Sequence, residues 1–80
     1  MKIFKYPLID NEIINFTPTD AVFVGMQGDQ PCAWIPVLEG EEVSGILHMI
    51  GTGWEFDKDW YFIGTTQDDL YVWHWFVELT

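Results

Sequence analysis

Leu70-Tyr71-Val72-Trp73-His74-Trp75-Phe76-Val77-Glu78 holds the strongest evidence in the chain for the kind of fold it adopts. In an extended chain successive side chains point to opposite faces. Tyr71, Trp73, Trp75 and Val77 then share one face, while Val72, His74 and Phe76 share the other. Neither face is polar, so the segment reads as a strand covered on both sides. Six more runs rich in β-branched and aromatic residues precede it: Ile3 to Leu8, Glu12 to Phe16, Ala21 to Gln27, Cys32 to Leu38, Val43 to Ile50 and Trp60 to Thr66. Between them stand the turn-forming clusters Asp10-Asn11, Thr17-Pro18-Thr19-Asp20, Gly28-Asp29-Gln30-Pro31, Glu39-Gly40-Glu41, Gly51-Thr52-Gly53 and Gln67-Asp68-Asp69. Strands at this spacing predict an all-β fold, a small antiparallel meander, barrel or sandwich of about six to seven short strands.

Val43 to Ile50 has a competing reading. Val43, Ile46, Leu47 and Ile50 follow helical spacing, with Glu41 and Glu42 at the dipole-favoured start and Gly51 at the stop. Ser44-Gly45 would cost such a helix roughly 1 kcal/mol or more relative to two alanines, so the strand is preferred. The repeated Ile-Gly-Thr, at Ile50-Gly51-Thr52 and Ile63-Gly64-Thr65, marks two strand ends or bulges.

Eighty residues make one domain, residues 1–80, in which about 60–65% of the unfolded chain's surface is buried. With 49% hydrophobic and 18% aromatic residues the chain is not a disordered acidic tail. Five Trp, six Phe and three Tyr exceed what one small core covers. Some rings should therefore meet a partner or a second copy, and a homodimer formed through exposed strand edges is expected.

Thirteen Asp and Glu stand against three Lys, giving a formal charge of −10. Nucleic acids and phosphorylated ligands are held mainly by Lys and Arg, and only Lys2, Lys5 and Lys58 are present, so direct nucleic-acid binding is not expected. Anionic lipid is repelled too, and no uncharged stretch approaches the ~20 residues of a membrane span. The positive start at Lys2 and Lys5 breaks at Pro7 and Asp10 before a signal-like apolar run develops. A lone Cys32 makes no intramolecular disulfide, which fits a reducing, cytoplasmic setting.

No catalytic residue, metal or cofactor is expected. Ser44 lacks the strand-turn-helix elbow of a nucleophile, and Cys32 reads as a small core residue. Cys32, His48 and His74 lack the clustered spacing of a zinc site. Glu55, Asp57 and Asp59 alternate as in a calcium loop, but Trp60 and Thr66 stand where its sixth-position Gly and twelfth-position Glu belong. If residues 54–60 are extended, however, those three carboxylates project from one face about 6.6 Å apart. Trp54, Phe56 and Trp60 then fill the opposite face. Such a row can occupy a basic groove in place of a phosphate backbone, joined by the clusters Glu39, Glu41, Glu42 and Asp68, Asp69. Acidic clusters are ordinarily solvated turns; the scarcity of compensating Lys and Arg sets this chain apart. An alternative site is an aromatic platform of Trp34, Trp54, Trp73 and Trp75 for a planar uncharged or cationic ligand.

Lys2-Ile3-Phe4-Lys5-Tyr6-Pro7-Leu8, Pro31-Cys32-Ala33-Trp34, Gly51-Thr52-Gly53, Ile63-Gly64-Thr65 and Val72-Trp73-His74-Trp75-Phe76 span nearly the whole chain. Together they resemble a family of small phage and prophage proteins of unknown function. These are strand and turn signatures, so the resemblance implies no activity; it implies a phage accessory protein made in a bacterial host's cytoplasm. The expected function is stoichiometric inhibition of a host nucleic-acid-binding or anti-phage defence protein, not enzymatic catalysis. Carboxylates would meet the host protein's basic groove, with Trp54 and Trp60 in the contact core. The alternatives are a small-ligand module or sponge and a structural or assembly subunit of the virion.

Overall fold

Seven strands form where the apolar runs lie, in a computed structural model that describes residues 2–80. They are β1 (Lys2–Pro7), β2 (Ile13–Phe16), β3 (Phe23–Gln27), β4 (Gln30–Val37), β5 (Val43–Gly51), β6 (Tyr61–Gln67) and β7 (Val72–Leu79). No helix occurs among the described residues, and β5 settles the competing reading in favour of a strand. Tertiary packing explains why: a Cβ on Gly45 would collide with Val77 Cγ1, so this position on β5 has to be bare for β7 to lie beside it.

The strands make two antiparallel sheets, one ordered β1-β4-β3 and the other β2-β5-β7-β6. Pro31 and Pro36 lie in β4, the middle strand of the smaller sheet, where a missing N–H normally breaks a ladder. The register avoids the loss. Pro31 sits one position beyond the last β1 pair, Pro7 with Cys32, and its carbonyl accepts from Leu8 N at 2.8 Å. Pro36 lies beyond the last β3 pair, Phe23 with Trp34, where its carbonyl accepts from Thr19 Oγ1 at 3.3 Å.

Between the sheets lies a core of Leu8, Phe16, Ala33, Ile35, Leu47, Ile63, Trp75 and Val77. Trp75 is 1% exposed, and its indole N–H donates to Thr66 Oγ1 at 2.9 Å, which satisfies the one polar atom its burial takes from water. The two sheets meet where β6 packs against β3. A bulge between Phe62 and Gly64 shifts the β6 register, and a Cβ on Gly64 would stand 2.6 Å from Val24 Cγ2. Both Ile-Gly-Thr repeats therefore fall at irregularities, one at this bulge and one at the end of β5.

Strands β5 and β6 both run antiparallel to β7 and flank it, so they are parallel to each other. Gly51, the last residue of β5, pairs with Trp73, whereas Tyr61, the first of β6, pairs with Val77. Residues 52–60 must consequently return along the sheet and cross β7 on its outer face. This crossover positions the candidate site.

Gly45→Ala tests the close approach of β5 and β7. Overpacking of a close-packed core costs typically about 1–3 kcal/mol, and a loss of that size should appear as a lower urea midpoint with an unchanged slope. A wild-type midpoint would mean that Val77 yields without cost.

Candidate functional site

The crossover begins with a turn in which Trp54 N donates to Gly51 O at 3.1 Å, made accessible by Gly53 at φ 88°. The Trp54 ring then stands edge-on to Trp73, with centroids 5.7 Å apart. Phe56 stacks on Phe76 of β7 at 4.4 Å, and Phe62 of β6 tilts against the same ring at 5.2 Å. At the far end Trp60 lies flat on His48 of β5, 3.8 Å away at an interplanar angle of 3°. His48 Nε2 is 2.9 Å from Glu78 Oε1, so the imidazole is held from its edge as well as its face.

Residues 54–60 are not one extended segment. Asp57 Oδ1 accepts from Asp59 N at 2.8 Å and Asp57 O from Trp60 N at 3.1 Å, closing a turn that interrupts the row of carboxylates. The division of faces survives in part: Trp54, Phe56 and Trp60 pack toward the sheet, while Glu55, Asp57 and Asp59 are exposed. Among the described residues the one salt bridge is His48 with Glu78, so these carboxylates make no ion pair, although Lys58 stands between Asp57 and Asp59 in the chain.

The other sequence-derived candidates are spread out. Glu39, Glu41 and Glu42 precede β5 at the end remote from Gly51, and Glu39 and Glu42 border a depression of about 220 Å³ with Lys2 and Phe4. Asp68 and Asp69 lie in the β6–β7 turn, at the end of the sheet where the crossover starts. Of the four-Trp platform, Trp54 and Trp73 meet. Trp75 is in the core and Trp34 belongs to the other sheet, tilted against Phe23 at 5.4 Å. Cys32 is buried in β4.

What the crossover and the sheet enclose is a cleft of about 240 Å³, walled by Trp54, Phe56, Phe62, His74 and Phe76, with the 50–53 turn along one side. His74 is fixed between two hydroxyls, with Nε2 2.8 Å from Thr52 Oγ1 and Nδ1 3.0 Å from Thr65 Oγ1. Phe62, Phe76 and His74 do not figure in the sequence-derived sites. Their signal was the apolar second face of β7, which had to be covered by something.

These features make the chain a small antiparallel two-sheet protein with an acidic crossover laid over an aromatic sheet face. It belongs to the family described as Domain of unknown function (DUF7352), whose model matches residues 1–80. No curated protein and no solved structure matches it.

Asp68 organises the turn beside the site: its Oδ1 accepts from Leu70 N at 2.8 Å and from Tyr71 N at 2.7 Å. These two backbone bonds favour the ionised form and hold the carboxyl below its ordinary 3.8. A lowered folded-state value means that the carboxylate's stabilisation is complete above the ordinary range and is lost as pH falls through the lowered value. A carbon-detected NMR titration should place the Asp68 midpoint below 3.8, and Asp68→Ala should remove that part of the acid-side stability change. An ordinary midpoint would show that the two bonds do not persist in solution.

Proposed function

We propose that this protein is a small interaction module of phage or prophage origin. It acts in a bacterial host's cytoplasm by stoichiometric binding to a basic host protein, either one that binds nucleic acid or one that defends against phage. One observation carries the reading. On a loop anchored by ring stacking at Phe56 and Trp60, half-exposed Trp54 and Phe56 alternate with exposed Glu55 and Asp57, which make no ion pair among the described residues. Exposed aromatics are the residue types that dominate binding energy, and carboxylates around them steer a basic partner and set selectivity. The formal charge of −10 extends that steering beyond the loop. Cys32 is buried in β4 away from the site, and binding rather than catalysis is the activity proposed.

A homodimer is proposed through the smaller sheet. Strands β1, β3 and β4 carry no Asp or Glu, and Ile3 and Phe23 on that sheet are 56% and 58% exposed. Pairing there would cover apolar surface while leaving the acidic crossover free. Light scattering at micromolar concentration should give twice the 9.4 kDa chain mass; a monomer mass would remove this part of the proposal.

Glu55→Gln, Asp57→Asn and Asp59→Asn combined test the role of charge. Asp57→Asn keeps a side-chain oxygen for the backbone N–H of position 59, so the turn and the fold should remain. Against the partner recovered from host lysate, stopped-flow association should slow by about tenfold at low salt and depend less steeply on ionic strength. Association at the wild-type rate with the wild-type salt slope would show that the loop is only a solvated surface.

A further inference from the structure

We infer that the cleft under the crossover receives an N-methylated ammonium group, a cation with no N–H donors. Its walls supply the attraction. Trp54, Phe56 and Phe62, each about half exposed, bring three rings to one cleft of about 240 Å³ floored by buried Phe76, and aromatic rings draw cations through their quadrupoles. The net charge of −10, together with exposed Glu55 and Asp57 beside Trp54 and Phe56, raises the local concentration of cations and repels anions.

The hydrogen bonding selects among cations. Thr52 and His74 are bonded to each other, with the second His74 nitrogen bonded to Thr65, and the Trp54 indole N–H is a donor only. A primary ammonium or a guanidinium would find fewer acceptors there than its N–H groups lose with their water, which is costly. A methylated ammonium has no such donors to leave unpaired and gains the ring contacts in full. The cleft is smaller than the about 300–1,000 Å³ of sites for drug-sized ligands, so it suits a head group rather than a nucleotide. The head group could arrive on a free choline-like molecule or on a trimethylated lysine side chain. Cleft binding is separable from capture of a basic partner, because Phe62→Leu removes a ring of the cleft and leaves Trp54, Phe56 and the loop carboxylates in place.

Proton NMR titration of the intact protein with choline and with its neutral isostere 3,3-dimethylbutan-1-ol tests the chemistry. The N-methyl resonance should move upfield by ring current, and choline should bind about tenfold more tightly than the isostere. Phe56→Leu and Phe62→Leu each remove a half-exposed ring while keeping apolar bulk. With circular dichroism showing the fold retained, each should weaken choline by about threefold or more. Peptides bearing trimethyl-lysine or unmodified lysine identify the source. Tighter binding of the methylated peptide than of choline marks a protein side chain, equal or weaker binding marks a free head group, and either outcome supports the inference. It is overturned if the isostere matches choline, if the methylated peptide binds and the unmodified one matches it, or if neither Leu variant changes affinity. Absence of any N-methyl shift at millimolar choline and methylated peptide would overturn it as well.

Discussion

Residues 52–60 have to pass across the outer face of β7, and most other features of the larger sheet follow from that passage. Because β5 and β6 flank β7 and run parallel, the chain cannot join them by a hairpin and has to travel back along the sheet. A connection lying on a sheet face must bury apolar surface against it to stay there. Phe56 on Phe76 and Trp60 on His48 meet that need, one over β7 and one over β5. The same stacking leaves the intervening carboxylates pointing to solvent, so the contacts that hold the crossover also produce its acidic outer surface.

Charge is unevenly spread. The strands of the smaller sheet contain Lys2 and Lys5 and no carboxylate, though Asp29 lies in its β3–β4 turn and Glu39 and Glu42 lie beside Lys2; the crossover and the β6–β7 turn contribute Glu55, Asp57, Asp59, Asp68 and Asp69, with Lys58, around the larger sheet. Two of these acids have local structural work: Asp57 and Asp68 accept backbone N–H groups within their own turns. Carboxylates that stabilise a turn in this way are held in fixed positions, which favours their use in recognition over that of freely moving side chains. Structure and surface charge therefore share residues, and substitutions at Asp57 have to preserve an acceptor if the two roles are to be separated.

Polar atoms inside the protein are paired with similar economy. Trp75 donates to Thr66, and Thr17 Oγ1 accepts from Leu38 N at 2.9 Å across the junction between strands. Among the described residues no buried side-chain polar atom lacks a partner. His74 and Thr52 follow the same pattern at the cleft, where their mutual bond takes up part of the hydrogen-bonding capacity of its two polar side chains. The selectivity inferred for the cleft thus comes from the scarcity of free acceptors among its rings.

Where the chain is extended follows mainly from local chemistry, with β5 also depending on the close approach of β7 at Gly45. The seven runs of β-branched and aromatic residues are the seven strands, to within two residues at each end, because alternation and turn residues act over short distances. The two apolar faces of residues 71–77 also required a covering on each side of β7. Which elements supply that covering is a tertiary matter: one is the opposing sheet, and the other is the crossover at residues 52–60, with all of β6 between it and β7 in the chain. Alternation at residues 54–60 suggested an unbroken acidic row, but the Asp57 turn interrupts it, since a turn bonded through its own side chain competes with extension over the same few residues. The four Trp residues were likewise legible as aromatic surface and not as a set. Strand order alone decided that Trp75 faces the core, that Trp34 lies on the other sheet, and that Phe62, Phe76 and His74 join Trp54 and Phe56 around one cleft, because side chains from distant segments become neighbours only through pairing and sheet packing.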